Sequence, residues 1–249
     1  MFELKLENAK VFQNCVDALV TLIDEGEFDV SKDGVTLRAM DPSQIAMVDF
    51  ELPKKAFEKY EVKEETKVGL SIDDLSRITG RTRAGESLTL SIDDSGSRLL
   101  LVFKGKGRRR FSLPLLDVSN TASKVPSIDF DASVKINGGH FKEALKDASL
   151  VSSYVTLKLD SKGFEIIAKG DKGDVSIELE KDDEVIAEHK VSKEARAMFP
   201  LEYLNDLLKS VDSSSVVSIN LKTDAPLKLE YGIGEARVTY YLAPRIETA

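Results

Sequence analysis

Along most of the chain apolar side chains take every second position, and in four short stretches the period lengthens to that of a helix. Phe2, Leu4 and Leu6 open with a strand. Residues 9–23 then carry Phe12, Val16, Leu19, Val20 and Ile23 on one helical face, with Lys10, Gln13, Asn14, Asp17 and Thr21 on the other. Strands follow at 27–30 and 35–40, joined by the hairpin turn Lys32-Asp33-Gly34, and at 45–52, after the turn Asp41-Pro42-Ser43. A charged loop led by Pro53 runs into a strand at 67–70. Ser71 reads as the N-cap of a second helix, with Asp73 and Asp74 in the turn where the helix dipole favours acids. Ile72, Leu75 and Ile78 form its core stripe, and Gly80 ends it. Strands at 88–92, 99–104 and 108–115 complete the first half.

The second half replays the first. Gly34 and Gly163 lie 129 residues apart (163 − 34), and the same offset relates Phe12 to Phe141, Leu75 to Leu204, Ile92 to Leu221, Arg108 to Arg237 and Leu113 to Leu242. One offset held over so much sequence predicts a duplicated domain. The small, polar, proline-broken stretch at 119–127 reads as the linker. The expected organisation is a first domain at 1–118, a connecting loop at 119–131 and a second domain at 132–249, with helices near 140–150 and 201–211. Each domain is then an antiparallel sheet structure with two short helices, an α+β class. The helices must cover one face of their sheet, because each has a single apolar stripe.

Composition narrows the reading without changing it. At 42% hydrophobic and 31% charged residues the chain fits a soluble globular protein, and 249 residues suffice for two cores of ordinary size. No apolar run approaches bilayer length, and Met1-Phe2-Glu3-Leu4-Lys5 lacks a signal-peptide core. The single cysteine, Cys15, allows no internal disulfide and sits among Phe12, Val16 and Leu19, which predicts a buried thiol in a reducing compartment. A net charge of −8 speaks against a nucleic-acid partner unless the basic residues are gathered on one face.

The duplication leaves a sheet edge open at each end, and exposed edges invite pairing. The two candidate edges differ in charge. Arg108, Arg109 and Arg110 open the last strand of the first half, after Lys104 and Lys106. The matching partner strand in the second half, at 174–180, is acidic, with Asp174, Glu178 and Glu180 around Ile177. Within one chain the analogous junction would pair 237–242 with 45–52. Between chains a basic edge meeting an acidic one is a heterologous contact, which closes into a ring or runs on as a filament. The alternative is that these charges only solvate two exposed edges. If four helices per chain line such a ring about 10 Å apart, three chains enclose a circumference of about 120 Å. After subtraction of a helix diameter this leaves about 28 Å clear, enough for duplex DNA at about 20 Å. Two chains would leave about 15 Å.

Three segments carry a resemblance: Leu37-Arg38-Ala39-Met40-Asp41-Pro42-Ser43, Asp224-Ala225-Pro226-Leu227 with Glu230-Tyr231, and Tyr240-Tyr241-Leu242-Ala243-Pro244-Arg245-Ile246-Glu247. They resemble the sliding clamps of the proliferating cell nuclear antigen family, most closely the archaeal type, over the whole chain. The resemblance implies the DNA-clamp fold in a closed homotrimeric ring around duplex DNA, read without regard to sequence, and no catalysis. It also implies an ATP-driven clamp loader, and tethering of DNA polymerase, flap endonuclease and DNA ligase through short peptides. The location it implies is the cytoplasm at an archaeal nucleoid, or the nucleus in a eukaryote. On this sequence the peptide pocket would comprise Met40, Gln44, Ile45, Met47, Val125, Pro126, Pro226, Leu227, Tyr241, Ala243, Pro244, Arg245 and Ile246. The outward helical cations Lys10, Arg77, Arg81, Arg83, Lys142, Lys146 and Lys209 would face DNA, interleaved with Asp17, Asp73, Asp74, Glu143, Asp147, Glu202 and Asp206. The first helix shows Gln13, Asn14 and Val20 where many members of the family are basic, which implies modest DNA affinity with a shallow salt slope.

An enzyme is the rival class. Only His140 and His189 are present, and neither Gly105-Lys106-Gly107 nor Gly232-Ile233-Gly234 has the context of a phosphate loop. The acidic pairs Asp73-Asp74, Asp93-Asp94 and Asp182-Asp183 fit solvated caps and turns better than metal ligands. No catalytic residue, cofactor or metal is therefore expected. The second rival is a clamp-like scaffold acting as a monomer or as one subunit of a heterotrimer.

Overall fold

The computed structural model describes residues 2–118, 124–171 and 173–246; residues 119–123 of the expected linker and Glu247 of the C-terminal motif lie outside the described residues. By contact the chain divides into two units, and neither is one continuous segment. Unit 1 gathers 1–42, 48–124 and 233–238; unit 2 gathers 43–47, 125–232 and 239–249.

The first half of the chain runs β1 (Phe2–Leu6), α1 (Ala9–Leu19), β2 (Glu25–Val30), β3 (Gly34–Met40), β4 (Ala46–Pro53), β5 (Lys59–Val62), β6 (Thr66–Ser71), α2 (Ile72–Thr79), β7 (Ser87–Ile92), β8 (Arg98–Lys104) and β9 (Arg108–Pro114). In unit 1 five strands pair antiparallel in the order β5-β1-β7-β8-β9, and β3, β2 and β6 pair in that order. The second half runs β10 (Ala132–Asn137), α3 (Gly138–Ser149), β11 (Tyr154–Leu159), β12 (Gly163–Gly170), β13 (Gly173–Glu180), β14 (Ile186–Val191), β15 (Ala195–Pro200), α4 (Leu201–Leu208), β16 (Val216–Leu221), β17 (Leu227–Ile233) and β18 (Ala236–Leu242). Unit 2 repeats the plan, with β13-β12-β11-β15 antiparallel and β14-β10-β16-β17 beside one another. The fold is α+β, as the alternating periods predict, and α2 and α4 begin 129 residues apart (201 − 72).

The paired glycines that reveal the duplication have a steric cause. A Cβ on Gly34 would lie 2.6 Å from the Leu52 carbonyl oxygen, and one on Gly163 would lie 2.0 Å from that of Leu179. In each unit a neighbouring backbone passes where only hydrogen fits.

Three of the four helices open on a side-chain cap: Asn8 accepts from Lys10 N–H, Ser71 from Asp74 N–H and Asn137 from His140 N–H. α4 follows Pro200 without one, and its Leu201 N–H goes to the Ser153 carbonyl at 2.9 Å. Replacing Ser71 with Ala removes the cap oxygen at 3.1 Å and is expected to cost about 1 kcal/mol, read as a lowered urea midpoint at unchanged slope.

Three expectations need correction. α1 stops at Leu19, where Leu22 N–H bonds the Leu19 carbonyl in a tight turn; Leu22 and Ile23 are buried by that turn rather than by a longer helix. The inner stripe of α2 is Ile72, Leu75 and Thr79, with Ile78 half-buried, because the Thr79 hydroxyl is satisfied at 3.0 Å by the Leu75 carbonyl. The loop after Pro53 holds a turn of 3-10 helix at Lys54–Ala56 and then β5, and β14 is its counterpart in unit 2.

Each unit has its own core. Phe28 meets the edge of Phe50 at 6.4 Å in unit 1, and Phe141 lies against Phe164 at 5.9 Å in unit 2. Cys15 is 1% exposed, and burial together with Asp17 pushes its thiol up to about 12, so it is an inert core group. Among the described residues no helix is long and apolar enough to cross a membrane.

Candidate functional site

Three surfaces gather the residues singled out above. The first is the solvent face of the helices, where α1 packs with α2 in unit 1 and α3 with α4 in unit 2. Lys10, Arg77 and Lys146 are exposed there, and Lys209 is exposed at the C-cap of α4; Arg81 and Arg83, expected on the helix, are exposed in the turn beyond it, because α2 ends at Thr79. The cations are not equally available. Arg77 pairs with Asp74 at 3.4 Å and Lys146 with Glu143 at 2.7 Å, each one turn away on its own helix. Lys142 is half-buried: its ammonium donates to the Lys209 and Val211 carbonyls at the end of α4, and burial lowers its pKa. It clips α3 to α4 within unit 2. The acidic neighbours Asp73, Asp147 and Glu202 are exposed, so this face is mixed in sign.

The second surface consists of two sheet edges. β9 is the outer strand of its sheet in unit 1, and β13 that of its sheet in unit 2. On β9 the pleat sends Arg108 and Arg110 to solvent and Arg109 to the other face. There the Arg109 guanidinium lies over Phe103 at 5.0 Å and pairs with Glu86, which is 5% exposed. On β13 the exposed positions are Asp174, Ser176, Glu178 and Glu180, and Val175, Ile177 and Leu179 are half-buried. One edge is basic, the other acidic, and both carry apolar side chains left partly open.

The third surface surrounds the C-terminal segment. Ala243 N–H donates to the Ile45 carbonyl at 2.9 Å, and Arg245 N–H to the Met198 carbonyl at 2.8 Å, so the tail is held by backbone bonds inside unit 2. Ala243, Pro244, Val125, Pro126, Pro226 and Ile45 are half-buried; Gln44, at φ 57°, and Arg245 are exposed, and Ile246 is 72% exposed. Met47, Leu227 and Tyr241 are interior at 2%, 0% and 9% exposure, and support the surface rather than form it. Met40, half-buried, falls in unit 1. Sequence reasoning passed over Tyr154, Lys169 and Arg196, which stand near this tail on alternate positions of β11, β12 and β15; the period-2 pattern of those strands was the available signal. Among the described residues no group of three or more His, Cys, Asp or Glu side chains is placed to hold a metal ion.

Known proteins share this architecture over its full extent. Residues 1–133 match the model of the proliferating cell nuclear antigen N-terminal domain, and residues 124–246 match that of its C-terminal domain. A DNA polymerase sliding clamp of Methanococcus maripaludis is 39% identical over 245 residues, 97% of this chain and 98% of that protein. One from Thermococcus gammatolerans is 35% identical over 247 residues, 99% of each. The crystal structure of the proliferating cell nuclear antigen of Thermococcus kodakaraensis superposes with a TM-score of 0.95 at 27% identity, over 98% of this chain and 100% of that one. A structure of the A. fulgidus protein with the C-terminal region of FEN-1 bound gives 0.92 at 29%, covering all of both chains. With both domain models matched in order along the two halves, the chain belongs to the proliferating cell nuclear antigen family of DNA polymerase sliding clamps.

Proposed function

We propose that this protein is a sliding clamp: a homotrimeric, non-enzymatic ring that encircles duplex DNA and tethers a polymerase and other replication and repair proteins by short peptides. Residues 1–118 and 132–249 act as its two clamp domains, joined by a connecting loop at 119–131, and the ring works in the cytoplasm. A clamp loader, a flap endonuclease and a DNA ligase are among its partners. The observation that carries the reading is the pair of open sheet edges of opposite charge, Arg108 and Arg110 on β9 and Asp174, Glu178 and Glu180 on β13. Repeated head to tail, that contact closes a ring. The mixed-sign helical face suits a protein that must hold a duplex without stopping on it, because phosphate attraction without base contacts carries no sequence information. Partner peptides are held along Gln44, Ile45, Val125, Pro126, Pro226 and the tail from Ala243 to Ile246.

Light scattering on the pure protein is expected to give the mass of three chains. After loading, the protein should stay on closed circular DNA through a wash in moderate salt and leave within minutes when the circle is cut. Equal retention before and after cutting would overturn the encircling mechanism, and the mass of one chain would overturn the ring.

A further inference from the structure

We infer that unit 2 carries a built cleft for an acidic side chain of an extended partner segment, beside the C-terminal tail; this rests on the peptide-tethering reading above. The cleft lies on one face of the β15-β11-β12 sheet. Val155, Leu157, Ile166, Ala168 and Phe199, on the opposite face, are all buried at 1% exposure or less. The alternate residues line two adjoining hollows of about 330 and 280 Å³ that share Thr156, Arg196, Met198 and Arg245. Their floor is a cross-strand row, Ile167 opposite Thr156 and Thr156 opposite Met198, and the tail joins it through the Met198–Arg245 bridge. Cations surround this row of Ile167, Met198 and the Thr156 between them: Lys169 and Arg196, both exposed, and Arg245.

The chain carries a net charge of −8, and several cations on its strands are already paired with carboxylates, among them Lys5, Lys59 and Lys135. Lys158, on the same sheet, pairs with Asp160 at 2.9 Å. Lys169, Arg196 and Arg245 make no ion pair within 4 Å among the described residues, and the one carboxylate on the rim is Asp224. The Arg245 guanidinium stacks on the Tyr154 ring at 4.0 Å. Stacking fixes the plane of the guanidinium and leaves its N–H fork free at the edge, the geometry that grips a carboxylate with two parallel bonds. The apolar floor accepts the stem of the same side chain. A peptide running along Ala243–Ile246 would pass directly over it, and the surface is thereby selective for segments with Asp or Glu at that position. The cleft is on the side of the sheet away from α3 and α4, so a DNA phosphate is the less fitting anion.

The test uses the full-length protein and fluorescein-labelled synthetic peptides that share one apolar-aromatic anchor. Two carry a pair of glutamates, before or after the anchor, and two carry glutamines there. One of the glutamate peptides is expected to bind about tenfold tighter than its glutamine control in low salt, the gap narrowing as salt rises. In Lys169→Gln/Arg196→Gln, whose changed side chains are exposed and unpaired, that preference should vanish while the glutamine peptide binds as before. If glutamate and glutamine peptides bind the wild type equally, this inference fails and the peptide-tethering reading stands. If no peptide binds at all, the tethering reading falls and takes the cleft with it. Loss of affinity for a duplex oligonucleotide in the double variant, with peptide preference intact, would reassign the cations to phosphate and also overturn the inference.

Discussion

Glu86→Ala is expected to destabilise the protein by about 3–5 kcal/mol, lowering the urea midpoint of unit 1 without changing any exposed surface. The cause is the position of Arg109. Its guanidinium is enclosed between Phe103 and Phe111, with centroid distances of 5.0 and 5.8 Å, and donates to the Arg81 carbonyl at 3.1 Å. Glu86 supplies its only carboxylate among the described residues and also accepts Arg83 N–H at 2.8 Å, so one side chain fixes both the turn before β7 and the inner face of β9. Removing it strands a positive charge among aromatic rings. Glu86→Gln keeps the shape and an acceptor, so it should cost less. The pH dependence follows from the same contacts. Burial alone would raise the Glu86 carboxyl, but the Arg83 N–H, the Arg109 hydrogen bond and the Arg109 charge outweigh it and hold the group below its usual 4.5. A depressed folded pKa contributes stability above the unfolded value and loses it as pH falls through the folded one. Wild type should therefore weaken below about pH 4.5 more steeply than Glu86→Gln, compared by urea unfolding at stepped pH.

Charge reversal at Arg108 and Arg110 together, with Arg109 untouched, is expected to convert a three-chain particle into single chains. Both side chains leave β9 on its solvent face, so the unit itself should unfold as wild type does. A strand edge presents its own N–H and C=O groups to a neighbour, and like charges placed opposite one another across that ladder oppose pairing. The matching change on the acidic edge, Glu178→Arg with Glu180→Arg, should by itself also give single chains. Mixing the two reversed proteins sets opposite charges at both contacts between unlike chains, β9 of either against β13 of the other, and should restore particles of two or more chains that contain both proteins. Sedimentation reads all three states. An unchanged three-chain mass for the first variant would remove β9 from the contact, and single chains in the mixture would remove its pairing with β13.

The contrast between Arg109 and its neighbours shows what the sequence made legible. A run of three arginines reads as one basic patch, and the strand period that separates them was already visible in Phe103, Phe111 and Leu113. What could not be read was the far partner: Glu86 precedes Arg109 by two strands and the two turns that follow them, and nothing local marks it as the buried acid. The duplication, the helix cap at Ser71 and the succession of most strands were legible because each is a local pattern. β5 and β14 were missed for the opposite reason. Their sequences, Lys59-Tyr60-Glu61-Val62 and Ile186-Ala187-Glu188-His189-Lys190-Val191, are charged edge strands whose charges are neutralised across the ladder, as in Lys59–Glu3 and Lys135–Glu188. A charge run without its partner strand looks like a loop. The same holds for the third surface: Tyr154, Lys169 and Arg196 lie on separate strands, and only their pairing register brings them to one place.

The allocation of residues 233–238 to unit 1 bears on how the molecule is made. Gly234 comes up against Val11, Glu235 pairs with Lys55, and Arg237 pairs with Glu51, so unit 1 is sealed by a segment that lies 186 residues further along the chain at the last of these contacts. Closing that seam means joining parts of the polypeptide that are far apart in sequence, which is slow. The interval before that seam closes is therefore when apolar surface of unit 1 is open to misassociation.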